Sequence, residues 1–442
     1  MKTHTFWSER SSKPLHLCGE NELDGQLRAL RRQLHRYPES AWTEFATTCQ
    51  VISMLREMDI PVRYGREIHD EGYMHGLPGE QELERCLLRA REEGADEELL
   101  EAMRGGFTGC VAEIRGELPG PTIGIRVDMD CNDLSECTEE DHRPAVEGFS
   151  SCHRGCMHAC GHDAHTAIGL GIASRLQRSR HQLRGSVILI FQPAEEGLRG
   201  AASMTAAGVV DRCEVFFSLH VGIADLPLGT VAAGAEGFLA STKFDVELEG
   251  LAAHAGLNPE MGKNAMAAAA TAVLNLLAIP RHRGGASRIN VGTLRAGTGR
   301  NVIPERAELT VETRGESTEV NRYMEARAKK VCQAAADMYE CSCQMRYMGG
   351  AGSARCDGDL VLRAADILRE VEGVEQVLER FDFGGGEDAV TMMERVQQRG
   401  GKATELVFPF ALKAPHHNPR FDVDEDVMLL AVRCVTRLVL EL

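Results

Sequence analysis

Hydrophobic positions change their period several times along this chain, and each change marks an element. From Asn21 to Met58 apolar residues recur at helical spacing, which predicts a helix broken near Pro38. Residues 76–106, GLPGEQELERCLLRAREEGADEELLEAMRGG, are charged and helical and predict one or two surface helices. Short apolar runs then alternate with helical stretches. Residues 121–130, 185–191 and 214–220 read as strands, and 165–177 and 200–210 as the helices between them. This β-α-β-α-β order predicts an α/β fold, a mainly parallel sheet with helices on both faces.

The pattern changes at about residue 238. Residues 238–251 alternate apolar and polar, 264–278 are periodic as a helix, SRINVGTLRAG and AELTVETRG alternate again, and 320–339 form a second long helix. That β-α-β-β-α-β order is the ferredoxin-like α+β pattern. Afterwards a strand at 404–410 and a helix from Asp424 to Leu440 resume the first pattern. The expected organisation is a large domain of residues 1–238 and 346–442, with a smaller domain, 239–345, inserted into it.

Charge narrows the partners. The chain has 442 residues, with 66 acidic against 49 basic side chains and a net charge of −17. Such a surface argues against nucleic acid and anionic membrane. No apolar run approaches the ~20 residues of a membrane span. The start, MKTHTFWSERSSKPLHL, lacks the apolar core of a secretory signal, so a cytoplasmic protein is expected. The cysteines number 15, and without a secretory context they are expected to be reduced.

The candidate chemistry gathers at predicted strand ends, where open α/β sheets place ligands. CMHACGHDAHTA (156–167) opens a helix with Cys160, His162, Asp163 and His165, and SSCHRG adds Cys152 and His153 upstream. VILIF is followed by QPAEEG with Glu195 and Glu196, VFFSL ends on His220, and LVFPF leads to His416 and His417. Thiolate, imidazole and carboxylate together suit Zn²⁺ and, with more oxygen donors, Mn²⁺. The donors exceed what one tetrahedral ion needs, so two divalent ions about 3.5–4 Å apart are expected. Adjacent glutamates allow one to bind metal while the other accepts a proton from water. FGGGEDA (383–389) is glycine-rich but lacks the Lys-Ser/Thr of a phosphate loop.

MHACGHDAHTA, LIFQPAEEG, SLHVG, AAHAG, GRNVIP and HHNPRFD, in this order, resemble the metallohydrolase family of aminoacylases, hippurate hydrolases, indole-acyl amino acid hydrolases and glutamate carboxypeptidases. The likeness spans nearly the whole chain. GREIHDEGYMHGLPGE, GGFTGCVAEI, HRPAVEGFSSC, TKFDVELEG and GASRINVG are most similar to the branch that cleaves p-aminobenzoyl-glutamate, a folate breakdown product, as an A chain beside a related B chain. The resemblance implies amide hydrolysis of a small acyl-amino acid, with other N-acyl or aromatic-acyl amino acids or dipeptides as alternatives. It also implies a homodimer or a heterodimer with a B chain, and a closing, dimerising inserted domain.

Residue by residue, the resemblance implies that Cys160 bridges two metals, that His162, Glu196, His220 and His417 (rather than His416) are ligands, and that Glu195 is the general base. His254 of AAHAG would polarise the scissile carbonyl, often across a dimer interface. Asn301 would contact substrate and Arg314 would hold its carboxylate, with Arg300 a weaker candidate. One departure stands out. Relatives carry His-x-Asp at the end of the first strand, where this chain has Asp128 and Asp130. Asp130 would then orient a ligand imidazole from behind.

Overall fold

The computed structural model describes Leu15 and residues 19–442. The chain runs α1 (Glu20–Arg36), α2 (Phe45–Glu57), β1 (Val62–Tyr64), α3 (Glu80–Glu92), α4 (Glu97–Met103), β2 (Cys110–Arg115) and β3 (Leu118–Asp128). It continues through α5 (Arg143–Glu147), α6 (His162–Arg178), β4 (Arg184–Gln192), α7 (Gly200–Ala206), β5 (Val215–Asp225), β6 (Thr230–Ala232) and β7 (Ala235–Glu236). Next come β8 (Ala240–Glu249), α8 (Ala265–Leu277), β9 (Ser287–Ala296), β10 (Arg306–Gly315), α9 (Thr318–Met338) and β11 (Ser342–Ala351). The last elements are α10 (Gly358–Leu368), β12 (Gln376–Leu378), β13 (Phe381–Asp382), α11 (Ala389–Gln398), β14 (Lys402–Phe410) and α12 (Asp426–Glu441).

Eight strands form the large sheet in the order β1-β2-β4-β3-β5-β14-β6-β12. Its centre, β4-β3-β5-β14, is parallel, and β1 and β2 add an antiparallel edge. The central strands are apolar almost throughout because both faces are covered. One face packs against α1, α6 and α12, with Leu27, Ile168, Leu406 and Val435 in its core. The other packs against α7 and α11, with Ile190, Met204, Phe216 and Val396. The chain is therefore mixed α/β with a mostly parallel central sheet.

The second sheet is antiparallel, ordered β11-β8-β10-β9. Phe244, Val246 and Leu248 of β8 and Leu309 and Val311 of β10 face α8 and α9, while the intervening polar positions form the opposite face. The capping residues Asn264 and Ser317 accept amide hydrogens three residues on, and start the two helices. Strand β11 runs on to Ala351, beyond the expected change of pattern at 346, because Gly349 to Ala351 keep pairing with Ser241 to Lys243. Those last residues reach the loop between β4 and α7, where Gly350 N–H donates to Leu198 O at 2.8 Å.

Candidate metal centre and active site

The parallel strands bring their chemistry to one edge. Asp128 at the end of β3 lies opposite Gln192 at the end of β4, and His220 in β5 lies opposite Val407 of β14. Strand β5 continues past His220 to Asp225, so the histidine sits inside the strand rather than closing it. Helix α6 begins at His162 after Gly161, whose φ of 90° turns the chain. A Cβ at Gly161 would lie 2.9 Å from the Val221 side chain, so glycine is needed both for the turn and for the fit.

Cys160, His162, Glu196, His220 and His417 converge here. Ligand atoms of Cys160, Glu196 and His417 lie within 4.8 Å of one another, as do those of His162, Glu195 and Glu196. Cys160 Sγ is 3.6 Å from His220 Nε2, and His417 Nε2 is 3.2 Å from Glu196 Oε1. Each inner histidine has its Nδ1 occupied. His162 Nδ1–H donates to the Asp130 carbonyl at 2.9 Å, and His220 Nδ1–H to the Val221 carbonyl at 2.7 Å. That fixes the lone pair on Nε2, the arrangement a metal-binding imidazole needs. His162 Nε2 is buried and has no hydrogen-bond partner. A soft thiolate, three imidazoles and a carboxylate around an orphaned buried nitrogen fit divalent metal ions.

The other histidines of the motif are committed elsewhere. His165 donates from Nδ1 to Asp128 Oδ1 at 2.6 Å and accepts the Val221 amide on Nε2 at 2.9 Å, which leaves no lone pair for a metal. His153 is tied to the Pro38 carbonyl and to Glu93, both at 2.7 Å. Burial above all, with the nearby His35, His162 and Arg31, pushes His158 down to about 3, so it stays neutral. His416 Nε2 faces the Val221 carbonyl at 3.3 Å and its ring packs on Phe421, whereas His417 turns to Glu196. A donor atom of His416 also lies within 4.8 Å of Cys160 and His220, so adjacency keeps both rings at the site. His417 reaches its place through a left-handed backbone, φ 59°, with its N–H on Ala159 O.

The loop carrying the two glutamates is held by four side chains. Asp130 accepts the amides of Glu195 (3.0 Å) and Glu196 (2.9 Å), one on each carboxylate oxygen. It is the Asp130 backbone carbonyl that receives the His162 ring. Glu44 accepts the Ala194 amide at 2.8 Å, at a residue with φ 55°, and Asn132 donates to Glu196 Oε1 at 2.5 Å. Arg199 donates to the Glu196 carbonyl at 2.7 Å. The two neighbouring glutamates therefore point into different surroundings. Glu195 is buried beside Glu387 and Asp388; burial, then Glu387 and Glu196, push its carboxyl well above the usual range. Burial would raise Glu196 too, but His417 and His162 outweigh it and hold it low.

Glu44 and Asn132 carried no motif that would single them out in the sequence, and the glycine-rich stretch around Glu387 and Asp388 pointed to no such role. Glu387 and Asp388 come from the glycine-rich 383–389 loop and meet Arg126 inside the sheet, at 3.0 and 2.9 Å. The other expected residues belong to the smaller sheet and its loops. His254 is exposed on a turn of the smaller unit, its Nδ1 accepting the amides of Gly256 and Leu257, which leaves its proton on Nε2. Asn301 is exposed and its carbonyl takes the Ala255 amide. Arg314 is held by Glu312, Nε to Oε2 and Nη2 to Oε1, both at 3.0 Å. The described cysteines are free, and no described helix is long and apolar enough to cross a membrane.

Known proteins resemble this chain in sequence and in fold. The chain is 50% identical over 403 residues to an indole-3-acetyl-aspartic acid hydrolase of Enterobacter agglomerans, covering 91% of this chain and 92% of that protein. It is 47% identical over 418 residues to the A component of p-aminobenzoyl-glutamate hydrolase from Escherichia coli K12, covering 94% and 96%. Among solved structures, an aminobenzoyl-glutamate utilization protein from Klebsiella pneumoniae superposes with a TM-score of 0.82 at 42% identity, over 96% and 97% of the two chains. A Bacillus subtilis protein described as a dinuclear metal-binding peptidase superposes with a TM-score of 0.64 at 25% identity, over 95% and 98%. The sequence profile that matches residues 124–441 agrees with these likenesses and with the metal-ready cluster: the chain belongs to peptidase family M20/M25/M40, as a metallo-amidohydrolase of C–N bonds.

Proposed function

We propose that this chain hydrolyses the amide between an aromatic acyl group and a dicarboxylic amino acid, with p-aminobenzoyl-glutamate, a folate breakdown product, as the favoured substrate. The observation that carries this reading is the division of the adjacent glutamates, Glu196 turned to His417 and Cys160, Glu195 buried beside Glu387 and Asp388. Other N-acyl or aromatic-acyl amino acids or dipeptides form the second reading, favoured by the comparable likeness to a protein named for an indole-acetyl-aspartate substrate.

In the proposed mechanism Cys160, together with His162, Glu196, His220 and His417, would hold two divalent ions, Mn²⁺ or Zn²⁺. Bound there, such ions supply Lewis acidity and acidify water. Glu195 takes a proton from the attacking water and delivers it to the leaving amide nitrogen. A carboxyl that its surroundings push upward is suited to carry that proton between the two sites. Asp130 keeps Glu195 aimed by holding its amide. Residues 239–345 act as a lid and dimerisation domain in a homodimer or beside a B chain. His254, exposed on its turn with Nδ1 taken by the Gly256 and Leu257 amides, would serve the carbonyl oxygen of a substrate across that pair through Nε2–H. Asn301 and Arg314 would contact the amino acid part. The cytoplasm is the proposed compartment, supported by the free thiols.

The test is release of p-aminobenzoate by purified protein loaded with Mn²⁺ or with Zn²⁺, alone and with a B-like chain. Turnover that a chelator abolishes is the expected result. Failure on this substrate and on a panel of acyl-amino acids, in both assemblies and with metal bound, would discard the reading.

A further inference from the structure

The polar face of the smaller sheet carries an unusual group beside the catalytic loop. Lys243 lies on β8, opposite Glu312 of β10 and opposite Gly349 of β11. Gly349 is pressed against the loop that follows the two glutamates. A Cβ there would lie 2.4 Å from the Gly197 carbonyl and 2.9 Å from the Leu198 carbonyl. Lys243 is therefore one strand away from Gly197, two residues beyond Glu195. Glu195 is also among the charges that act on its ammonium.

Lys243 does not reach solvent as surface lysines do. Its side chain is 28% exposed, and burial is the largest influence on it, favouring the neutral amine. What offsets that cost in this chain is Glu312, 3.2 Å from Nζ. Yet Glu312 also binds Arg314 through both oxygens and accepts from Ser241 Oγ at 3.2 Å. One carboxylate is shared by two cations, so the group carries one positive charge in excess. Among the described ion pairs, neither Lys243 nor Arg314 has a second carboxylate. A half-buried excess cation beside a catalytic loop, in a chain of net charge −17, is a costly feature that an anionic ligand would stabilise.

Resting on the amide-hydrolase reading, we propose that Lys243 recognises the side-chain carboxylate of a dicarboxylic amino acid, with Glu312 holding the ammonium in place, so that Lys243 sets the preference for acidic over neutral amino acid parts. Two cations sharing one glutamate match two substrate carboxylates, Arg314 taking one and Lys243 the other. Lys243 touches no reacting bond. It is a specificity residue, and its effect belongs in KM for acidic substrates.

The experiment compares p-aminobenzoyl-glutamate with p-aminobenzoyl-glutamine, equal in shape but lacking the side-chain charge, for the metal-loaded full-length enzyme and its Lys243→Met and Lys243→Arg variants. The expected result is a wild-type kcat/KM at least about tenfold higher for the glutamate conjugate. Lys243→Met should remove most of that ratio through KM, and Lys243→Arg should keep most of it. Metal content and melting temperature are followed alongside. If the Met variant does not fold, Lys243→Gln, which keeps a donor for Glu312, carries the same expectation. An unchanged ratio in the Met variant, or an equal loss on both conjugates, would overturn the assignment. So would a wild type that cleaves both conjugates equally, and that outcome leaves the amide-hydrolase reading intact. A wild type that cleaves no acyl-amino acid at all, alone or with a B-like chain, would remove both.

Discussion

Two fully buried arginines, one in helix α1 and one in strand β3, have surroundings that differ in charge balance. Arg31 of α1 meets Asp163 at 2.8 Å and Asp422 at 3.0 Å, with Glu425 at 3.6 Å. Arg32 and Arg143 share Glu425, and His35 shares Asp163. Burial would raise those carboxyls, but the surrounding guanidinium groups outweigh it and hold Asp163, Asp422 and Glu425 below the usual range. Arg126 of β3 faces Asp128, Glu387 and Asp388 at 2.8–3.0 Å, with Glu195 and Glu405 close by. There the outcome divides: burial would raise Asp128, but His162 and Arg126 outweigh it and hold it low, while its neighbours go the other way. Burial, with Glu387 adding to it against Arg126, pushes Asp388 up to about 7 and Glu405 well above the carboxylate range.

The contrast teaches what each cluster is for. The first is neutralised by protein cations and knits α1, α6 and the start of α12 together. The second collects more carboxylates than its arginine balances, beside five metal-capable side chains. Divalent ions are the charge that such a cluster fits. Stability is built where charge is balanced within the chain, and chemistry where the balance needs something bound.

Substitutions can break that contrast. The largest expected effect is Glu195→Gln, which should lower kcat by about a thousandfold or more while metal content stays near that of the wild type. Substantial residual turnover in a metal-replete variant would remove the base from the active cluster. Arg31→Met should destabilise the fold by about 3–5 kcal/mol, because it strands buried carboxylates. Urea unfolding measures this, and a loss under about 1 kcal/mol would deny the cluster its structural part. Asp130→Ala should be less severe for the fold and should cost about a hundredfold in kcat, by releasing the amides of both glutamates. Equal loss of bound metal and activity would show instead that it acts only through the ligands.

The pH response sharpens the comparison with the smallest effect. Asp163, Asp422 and Glu425 have lowered folded values, so their stabilisation is present above about 4 and fades as pH falls towards those values. Asp388 is raised, so its contribution runs the other way, and stability declines as pH rises from about 4 to about 7. Chelator-treated protein should show a stability maximum inside that range by urea titration, and metal loading should flatten the alkaline side. A metal-free curve that keeps rising through pH 7 would contradict the assignment of excess carboxylate to the Arg126 side.

Much of this was legible in the sequence. Period changes marked the break near Pro38, the alternating strands and helices of the large sheet, and the β-α-β-β-α-β run, because side-chain period is a local consequence of backbone geometry. Donor chemistry at strand ends marked Cys160, His162, Glu195, Glu196 and His220, because parallel strands share one carboxyl edge. Adjacent residues of like type resisted such reading. His416 and His417 differ in backbone φ, in exposure and in which way each ring turns, with His417 held by the Ala159 carbonyl and His416 packed on Phe421.

By itself, then, the order of residues determined the layers, the insertion of one pattern into another and the list of possible ligands, all of which depend on near neighbours or on which end a strand points to. Tertiary structure alone decided that Asp130 clamps two amides 65 and 66 positions away, that Glu44 steadies Ala194, and that Glu387 and Asp388 meet Arg126 across more than half the chain. It also decided that Lys243 sits beside the Gly197 loop. The reason is physical. Burial and through-space charge set what a carboxylate, an imidazole or an ammonium can do, and both arise only when distant segments pack and exclude water.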